Sequence, residues 1–206
     1  MVLKSLDNHG VDDNLQLTIS SAAIEDTKEV SRVLTKSFYS LPEFASWVYP
    51  FLQFTISEDL RYRLRSRSPH YRCLVAKIAT PNNVFGQNDT TQDGLSLIVV
   101  GTIEIALRSP SLWSTCPQHP YISNLAVHQN YRRLGIGSQL LAECEQVALE
   151  WGYHETHLHV LDSNDSAKQL YCHNGYQISQ IEANWGSLWF DYSPRLFLKK
   201  QISVNS

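Results

Sequence analysis

The sequence predicts an α/β protein with a mixed central β-sheet of about seven strands and helices on both faces. Strand patterns come first, a strand–helix–strand–helix series fills the second half, and strand patterns close the chain. The chain has 206 residues, of which 43% are hydrophobic and 18% charged, and this is enough to form a sizeable core. We therefore expect a single domain over residues 15–200, preceded by a frayed polar tail over residues 1–14.

One strand and two helices are predicted before residue 70. Leu15–Ser20 alternates apolar and polar residues, as strands do, and Ala22–Tyr39 has the apolar spacing of a helix. The aromatic stretch Leu41–Phe54 contains two prolines and predicts a loop, which either packs as a hydrophobic plug or lines a ligand pocket. Ser57 begins the second helix. Arginines then occupy every second position, which is typical of a solvated helix surface or of a site for an acidic partner: Arg61, Arg63, Arg65 and Arg67.

Two strands joined by a polar loop follow the arginines. Tyr71–Ala79 predicts the first of them, Thr80–Gly94 the loop, and Leu95–Leu107 the longest strand of the chain. In that strand we expect Thr102 and Glu104 on one face. The opposite face carries the apolar residues Leu95, Leu97, Val99, Ile103, Ile105 and Leu107. A second loop, residues 109–120, leads to the next strand.

The chain is organised around Tyr121–Gly137, which reads Y-I-S-N-L-A-V-H-Q-N-Y-R-R-L-G-I-G. Tyr121–Val127 favours a strand, and apolar residues recur at helical spacing over 136–151. Glycines in the turn between them let the backbone curl around a ligand, and the new helix presents unpaired N–H groups and the positive end of its dipole. The turn therefore predicts a site for a phosphate or pyrophosphate, formed by Arg132, Arg133, Gly135 and Gly137.

The remaining elements are predicted with little ambiguity. Glu155–Leu161 is a strand, a polar turn follows it, and Ser166–His173 is a short helix that Asn174-Gly175 ends. Two strands, Tyr176–Ile181 and Leu188–Leu198, close the chain.

Two common nucleotide-binding patterns do not match the glycine turn. A P-loop requires Gly-Lys-Ser/Thr, and a Rossmann turn requires a third glycine where this chain has Leu140. The pattern R-x-x-G-x-G, Arg132 to Gly137, instead resembles the pyrophosphate loop of the GNAT superfamily of N-acetyltransferases. About 30 residues later, Leu158–Tyr176 resembles the second signature of that superfamily, S-N-x-x-A-x-x-L-Y-x-x-x-G-[FY]. It does so through Asn164, Ala167, Leu170, Tyr171, Gly175 and Tyr176.

The resemblance covers residues 95–181 and implies the GNAT fold and an acetyl-CoA-dependent N-acetyltransferase. By resemblance, the residues that bond pantetheine through main-chain groups are Leu125, Ala126 and Val127. The amide of Leu125 would also polarise the thioester carbonyl. The residues that wrap the pyrophosphate are Arg132, Arg133, Gly135, Ile136, Gly137 and Ser138. Asn164 and Ala167 line the far side of the cofactor. If the arginines of 61–67 do not form a solvated helix surface, they could hold the 3′-phosphate of CoA.

The reaction also needs a group that takes a proton from the acceptor amine. A free α-amino group has a pKa of about 7.7–8.0 and a lysine about 10.4, so a histidine is a better base for the first than for the second. By resemblance, Tyr121 and His159 relay the amine proton through water and Tyr171 protonates the departing CoA thiolate. Glu104 is the alternative base. His157 and His159 point to the same face, but no third ligand near them suggests a metal site, and we expect none.

The motifs look most like the Met-accepting protein N-terminal acetyltransferase subgroup and like cyanobacterial and plastid GNAT proteins. We therefore expect that a protein or peptide amine, either an α-amino group or a lysine, attacks acetyl-CoA directly in a ternary complex. A small amine such as a polyamine, aminoglycoside or amino acid is the alternative, and a non-catalytic acetyl-CoA-binding regulator is a third reading. An edge strand also allows a homodimer.

Composition limits the partners and the compartment. A net charge of −3 does not favour nucleic acid, and no apolar run reaches the roughly 18 residues that cross a bilayer. The start of the chain lacks the features of a signal or transit peptide. The four cysteines show no C-x-x-C spacing, which favours free thiols and a cytoplasmic location.

Overall fold

The computed structural model describes residues 16–38, 48–81, 95–109, 118–182 and 193–203. Four helices and seven strands lie within these ranges, and a short 3₁₀ turn, Gln129–Tyr131, precedes the third helix. In chain order the elements are β1 (Leu17–Ser21), α1 (Thr27–Phe38), α2 (Tyr49–Ser66), β2 (Tyr71–Pro81), β3 (Leu95–Arg108), β4 (His119–Val127), α3 (Ile136–Glu150), β5 (Glu155–Leu161), α4 (Asp165–His173), β6 (Gln177–Glu182) and β7 (Arg195–Gln201). The predicted tail, residues 1–14, lies outside the described residues.

The strands form one mixed sheet in the order β1-β2-β3-β4-β5-β7-β6, which confirms the predicted fold class. Every neighbouring pair is antiparallel except β4 and β5, which are parallel and joined by the crossover helix α3. These two strands pair only at Tyr121↔His157 and Ile122↔Leu158. Beyond that point β4 continues to Val127 and β5 to Leu161, but the two strands no longer pair with each other. A gap therefore opens between them in the middle of the sheet.

Two hydrophobic clusters hold helices against the sheet. The larger one packs α3 and α4 against one face, with fully buried side chains such as Ile103, Leu140 and Leu158 at its centre. The smaller one includes Val30 and Leu60 and covers part of the opposite face with α1 and α2. Burial of these side chains provides most of the stability of the fold. None of the described helices is long and apolar enough to cross a lipid bilayer.

Both N-terminal helices begin at other residues than the sequence predicts. Helix α1 begins at Thr27 rather than Ala22, because Asp26 accepts a hydrogen bond from the Ala23 N–H at 2.8 Å and closes a turn first. Helix α2 begins at Tyr49, eight residues before Ser57. The prediction of a loop up to Phe54 is therefore wrong for residues 49–54, because a proline in the first helical turn lacks only an N–H that has no partner there. Residues 41–47 lie outside the described part.

The longest strand contains a β-bulge that the alternation did not predict. Its register against β2 shifts between the pairs Ala76↔Gly101 and Lys77↔Val99. An inserted residue inverts the alternation of faces. Val99 therefore packs in the smaller cluster, whereas Ile103 and Ile105 pack in the larger one, and the expectation that all the odd-numbered apolar residues share one face is wrong.

The closing strands are displaced along the sequence. Strand β6 ends at Glu182, and β7 runs from Arg195 to Gln201 instead of ending at Leu198. Residues 183–192, which include the start of the predicted strand, lie outside the described residues. The β7 strand pairs with β5 along its whole length and separates it from β6 at the sheet edge.

Candidate active site

A second bulge lies in β4, beside the gap in the sheet. Residues 124 and 125 stand between the pairs Glu104↔Ser123 and Thr102↔Ala126, so two residues of β4 face one residue of β3. Asn124 has φ 54°, which is uncommon for a residue with a side chain. Since β5 has already separated at this point, the backbone of Leu125 has no regular partner strand on that side. A bulge of this kind leaves backbone polar groups for a ligand.

The start of α3 is suited to an anion. Its N-cap, Gly135, has φ 76° and provides no side-chain cap, and the first helical turn carries no acidic residue. The first N–H groups of a helix need a partner, and the N-cap glycine has no side chain to provide one. Arg132 and Arg133 are exposed next to this turn, and the Arg132 Nε donates to the Val127 carbonyl at 3.0 Å.

Cationic side chains also lie near His128, the residue that follows β4. Burial lowers the pKa of His128 first, and the charges of Lys36 and Arg132 lower it further. The donor set therefore fits the diphosphate of CoA: free helix N–H groups, glycine at the turn and several cationic side chains.

Several of the predicted cofactor residues also have structural roles. Asn164 is the N-cap of α4, where its Oδ1 accepts from the Ala167 N–H at 3.2 Å. Ile136 is buried in the core at 4% exposure, so only its backbone can contact a ligand. Ser138 Oγ accepts from Asn174 Nδ2 at 3.0 Å, which ties α3 to α4.

Gly137 contributes close packing rather than an unusual backbone angle. A Cβ at this position would lie 3.1 Å from Leu170 Cδ2, so the absence of a side chain allows α3 and α4 to approach each other. A Cβ at Gly135 would meet Gln139 Nε2 at an ordinary contact distance of 3.9 Å, so only the positive φ requires glycine there.

Two of the three predicted catalytic residues form a hydrogen-bonded chain with a residue that the sequence did not indicate. The Tyr121 hydroxyl lies 2.9 Å from His159 Nδ1, and His159 Nε2 lies 3.0 Å from Glu182 Oε1. The imidazole also packs against the Phe197 ring at 4.9 Å between centroids. Burial raises the pKa of Tyr121, and the positive charges of Arg108 and Arg195 oppose that shift. Glu182 carries no motif, and only its position at the end of β6 brings it here.

Tyr171, the third predicted catalytic residue, is buried in α4 at 8% exposure. Burial, together with the charge of ionised Tyr121, raises its pKa to about 12. Tyr171 is therefore protonated at neutral pH and can donate a proton or a hydrogen bond.

Both carboxylate oxygens of Glu104 accept a side-chain hydrogen bond. It is 1% exposed, its Oε2 accepts from Arg63 Nη1, and its Oε1 accepts from Asn124 Nδ2 at 3.0 Å. Arg63 also pairs with Asp59 at 2.7 Å. The description of the arginines of 61–67 as a solvated surface is thus wrong for Arg63, which reaches from α2 to the buried carboxylate beside the β4 bulge.

His157 lies on the same face as His159 and also packs against the Phe197 ring, at 5.2 Å between centroids, but its hydrogen-bond partner differs. Its Nε2 lies 2.5 Å from Glu155 Oε1, and its ring meets that of His119 at 4.1 Å between centroids. Within the described ranges, no three His, Cys, Asp or Glu side chains are grouped so that they could hold a metal ion.

Comparison with known proteins agrees with this geometry. The family model "Acetyltransferase (GNAT) family" matches residues 40–176. The chain is 26% identical over 185 residues to chloroplastic GCN5-related N-acetyltransferase 10 of Arabidopsis thaliana, covering 87% of this chain and 69% of that protein. It is 32% identical over 141 residues to thialysine N-epsilon-acetyltransferase of Bos taurus, covering 68% of this chain and 75% of that protein.

A solved structure shares the same fold. The crystal structure of PaiA N-acetyltransferase from Thermoplasma acidophilum in complex with coenzyme A superimposes with a TM-score of 0.62 at 18% identity, covering 90% of this chain and 99% of that one. The family match agrees with the gap between the parallel strands β4 and β5 and with the glycine turn before α3. The chain therefore belongs to the GNAT family of acetyltransferases and is an acetyl-CoA-dependent N-acetyltransferase.

Proposed function

We propose that the enzyme acetylates a primary amine of a protein or peptide, with an N-terminal α-amino group favoured over lysine. The observation that carries this proposal is the chain Tyr121–His159–Glu182, which lies beside the gap between β4 and β5. Acetyl-CoA, when bound, supplies an activated acetyl thioester that an uncharged amine attacks directly.

The hydrogen-bonded chain provides a route for the amine proton. A neutral imidazole has one N–H and one acceptor nitrogen. With Glu182 accepting from Nε2–H, the Nδ1 atom accepts from the Tyr121 O–H, and the Tyr121 oxygen is left to take a proton from the amine, directly or through a water. The Tyr121 proton then moves to His159, and Glu182 stabilises the imidazolium, as the acidic member of a catalytic triad does.

The energy of amine deprotonation favours an α-amino acceptor. At pH 7, removal of the proton costs about 1 kcal/mol for an α-amino group and about 4.6 kcal/mol for a lysine, at 1.36 kcal/mol per pKa unit. A histidine relay is matched to the first task. Glu104 is a poorer candidate base, because Arg63 and Asn124 occupy both of its oxygens.

Tyr171 acts on the leaving group in this proposal. If the CoA thiol has the ordinary thiol pKa of about 8.5, full transfer of a proton from Tyr171, with a pKa of about 12, to the CoA thiolate would cost about 5 kcal/mol. We therefore assign Tyr171 primarily as a hydrogen-bond donor to the developing thiolate. The Leu125 amide polarises the carbonyl, residues 125–127 hold pantetheine, and the turn at 132–138 holds the diphosphate.

A small amine is the second candidate acceptor. The Bos taurus relative is named for thialysine, an amino acid with a side-chain amine, and it is 32% identical to this chain. A non-catalytic acetyl-CoA-binding regulator would bind the cofactor and transfer nothing.

The experiment is an acetylation assay with a peptide library and a panel of small amines, read by mass spectrometry. We expect acetylated peptide N-termini, and we expect His159→Gln to lower kcat about 100-fold or more. His154→Gln, a change at an exposed histidine, serves as the matched control. Full activity of His159→Gln would contradict the relay, and calorimetric binding of acetyl-CoA without transfer to any amine would identify a regulator.

The compartment and oligomeric state are also proposals. The buried free thiols of Cys73 and Cys144 support a reducing compartment such as the cytoplasm, whereas the Arabidopsis thaliana relative is named as chloroplastic. Cell fractionation decides between the two. Strand β6 lies at the sheet edge and supports a homodimer, which size-exclusion chromatography with light scattering would test.

A further inference from the structure

Two guanidinium groups flank the proposed proton relay. Arg108, the last residue of β3, places its Cζ 4.3 Å from the centre of the Tyr121 ring. Arg195, the first residue of β7, pairs in register with Leu161 of β5 and with Glu182 of β6. The charges of both arginines act on the Tyr121 hydroxyl, and the Arg195 side chain also hydrogen-bonds it. Strands from both sides of the gap thus bring positive charge to the place where the amine would be deprotonated.

Neither arginine has a carboxylate partner among the described residues. Arg61, Arg63 and Arg72 each have an acidic oxygen within 4.0 Å, but no such ion pair involves Arg108 or Arg195. Glu182 is the register neighbour of Arg195, yet it forms its ion pair with His159 instead. Both arginines are exposed, so their donors are accessible to a ligand.

This charge pattern does not suit an acceptor that is only a cation. An amine arrives protonated, and two guanidinium groups that have no carboxylate partner among the described residues repel it before the relay can remove its proton. A site for a polyamine would be expected to offer carboxylates instead. An anionic group on the acceptor removes the conflict, because a guanidinium binds a carboxylate through two parallel hydrogen bonds.

We propose that the acceptor carries a carboxylate close to the amine that is acetylated, and that Arg108 and Arg195 bind this carboxylate. The proposal rests on the proposed function and names its substrate class. The carboxylate has two sources with the same chemistry: an acidic side chain next to a peptide N-terminus, or the carboxyl group of a free amino acid.

The test compares matched acceptors that differ only in this charge. The first arm uses peptides beginning Met-Asp or Met-Asn, and the second uses lysine or thialysine against the corresponding amino acid amides. The measured quantity is the ratio of kcat/KM for the carboxylate-bearing member of a pair to kcat/KM for its uncharged partner. We expect this ratio to be about three to ten in at least one pair and to fall as the salt concentration rises. The arm that shows the ratio identifies the source of the carboxylate.

Arginine variants separate recognition from a structural role. Arg108→Gln and Arg195→Gln should reduce the ratio towards one, mainly through the KM of the charged acceptor, and Arg108→Lys should restore part of it. Arg72→Gln, a change of the same charge at an exposed arginine that pairs with Glu150, should keep the ratio. The proposal is overturned if the wild type shows no preference in either arm, or if the variants slow both members of a pair equally. Absence of transfer to every amine would instead refute the proposed function.

Discussion

Replacing Arg63 with methionine tests how far the buried carboxylate of Glu104 depends on one guanidinium group. Glu104 is 1% exposed and has two side-chain partners, Arg63 on Oε2 and Asn124 on Oε1. The Arg63→Met variant keeps most of the aliphatic packing and removes the charge. It leaves a buried carboxylate whose neighbours, the Asn124 amide and the Tyr71 hydroxyl, are neutral.

The expected loss of stability follows from this geometry. Removal of one member of a buried ion pair costs about 3–5 kcal/mol, because the remaining charge has lost its counterion. The Arg63 side chain is 28% exposed, so water can solvate part of the vacated site, and we expect about 2–3 kcal/mol. Because Asn124 forms the bulge beside the gap, the same change should also raise the KM for acetyl-CoA.

Urea unfolding followed by circular dichroism measures the difference. Arg61→Met is the matched control on the same helix, since Arg61 and its partner Glu58 are 32% and 46% exposed and such a pair contributes at most about 1 kcal/mol. Glu104→Gln in the Arg63→Met background should recover part of the loss by removing the unpaired charge. The reasoning fails if Arg63→Met costs no more than Arg61→Met, or if the second change recovers nothing.

Three further predictions concern the anion site, a helix cap and the thiols. Gly135→Ala should cost about 1–2 kcal/mol, because its φ of 76° is unfavourable for alanine, and should weaken acetyl-CoA binding in calorimetry; unchanged affinity would contradict the role of this turn. Asn164→Ala should lower the free energy of unfolding by about 1 kcal/mol and Asn164→Asp should not, since only aspartate keeps the side-chain cap. Equal melting temperatures for the two variants would contradict the role of Asn164 as a cap. Burial raises the pKa of Cys73 to about 12 and also raises that of Cys144, so the unfolded chain loses these protons first as pH rises. Stability should then fall above about pH 8.5, by about 2 kcal/mol per thiol at pH 10, and alkylation at pH 8 with peptide mapping should label exposed Cys172 but neither buried thiol.

The second half of the fold was predictable because its signals are local. A strand, a glycine turn and a long apolar stripe follow one another without interruption, and β5 has the predicted bounds, Glu155–Leu161. Turn and capping chemistry depend on residues within a few positions of each other, as at Gly135 and Asn164. The first half was harder, because the proline in the first turn of α2 resembles a loop signal when its neighbours in space are unknown.

The candidate site divides in the same way. Tyr121, His159 and Tyr171 could be named because they occupy positions in recognisable motifs, and the structure brings Tyr121 and His159 into contact. Glu182, Arg108 and Arg195 could not, because each stands at the end of a different strand and carries no motif. Their side chains reach Tyr121 and His159 only through pairings between residues far apart in the chain.

The sequence by itself determined the fold class and predicted a phosphate-binding turn and a tyrosine–histidine pair, since the motifs that carry these signals are each short stretches of the chain. Only the tertiary structure decided which charges surround that pair: Glu182 on His159, two arginines at Tyr121, and Arg63 on the buried Glu104. Electrostatic environment depends on distance in space, and the sheet order and the bulges that create those distances are set by the packing of the whole domain.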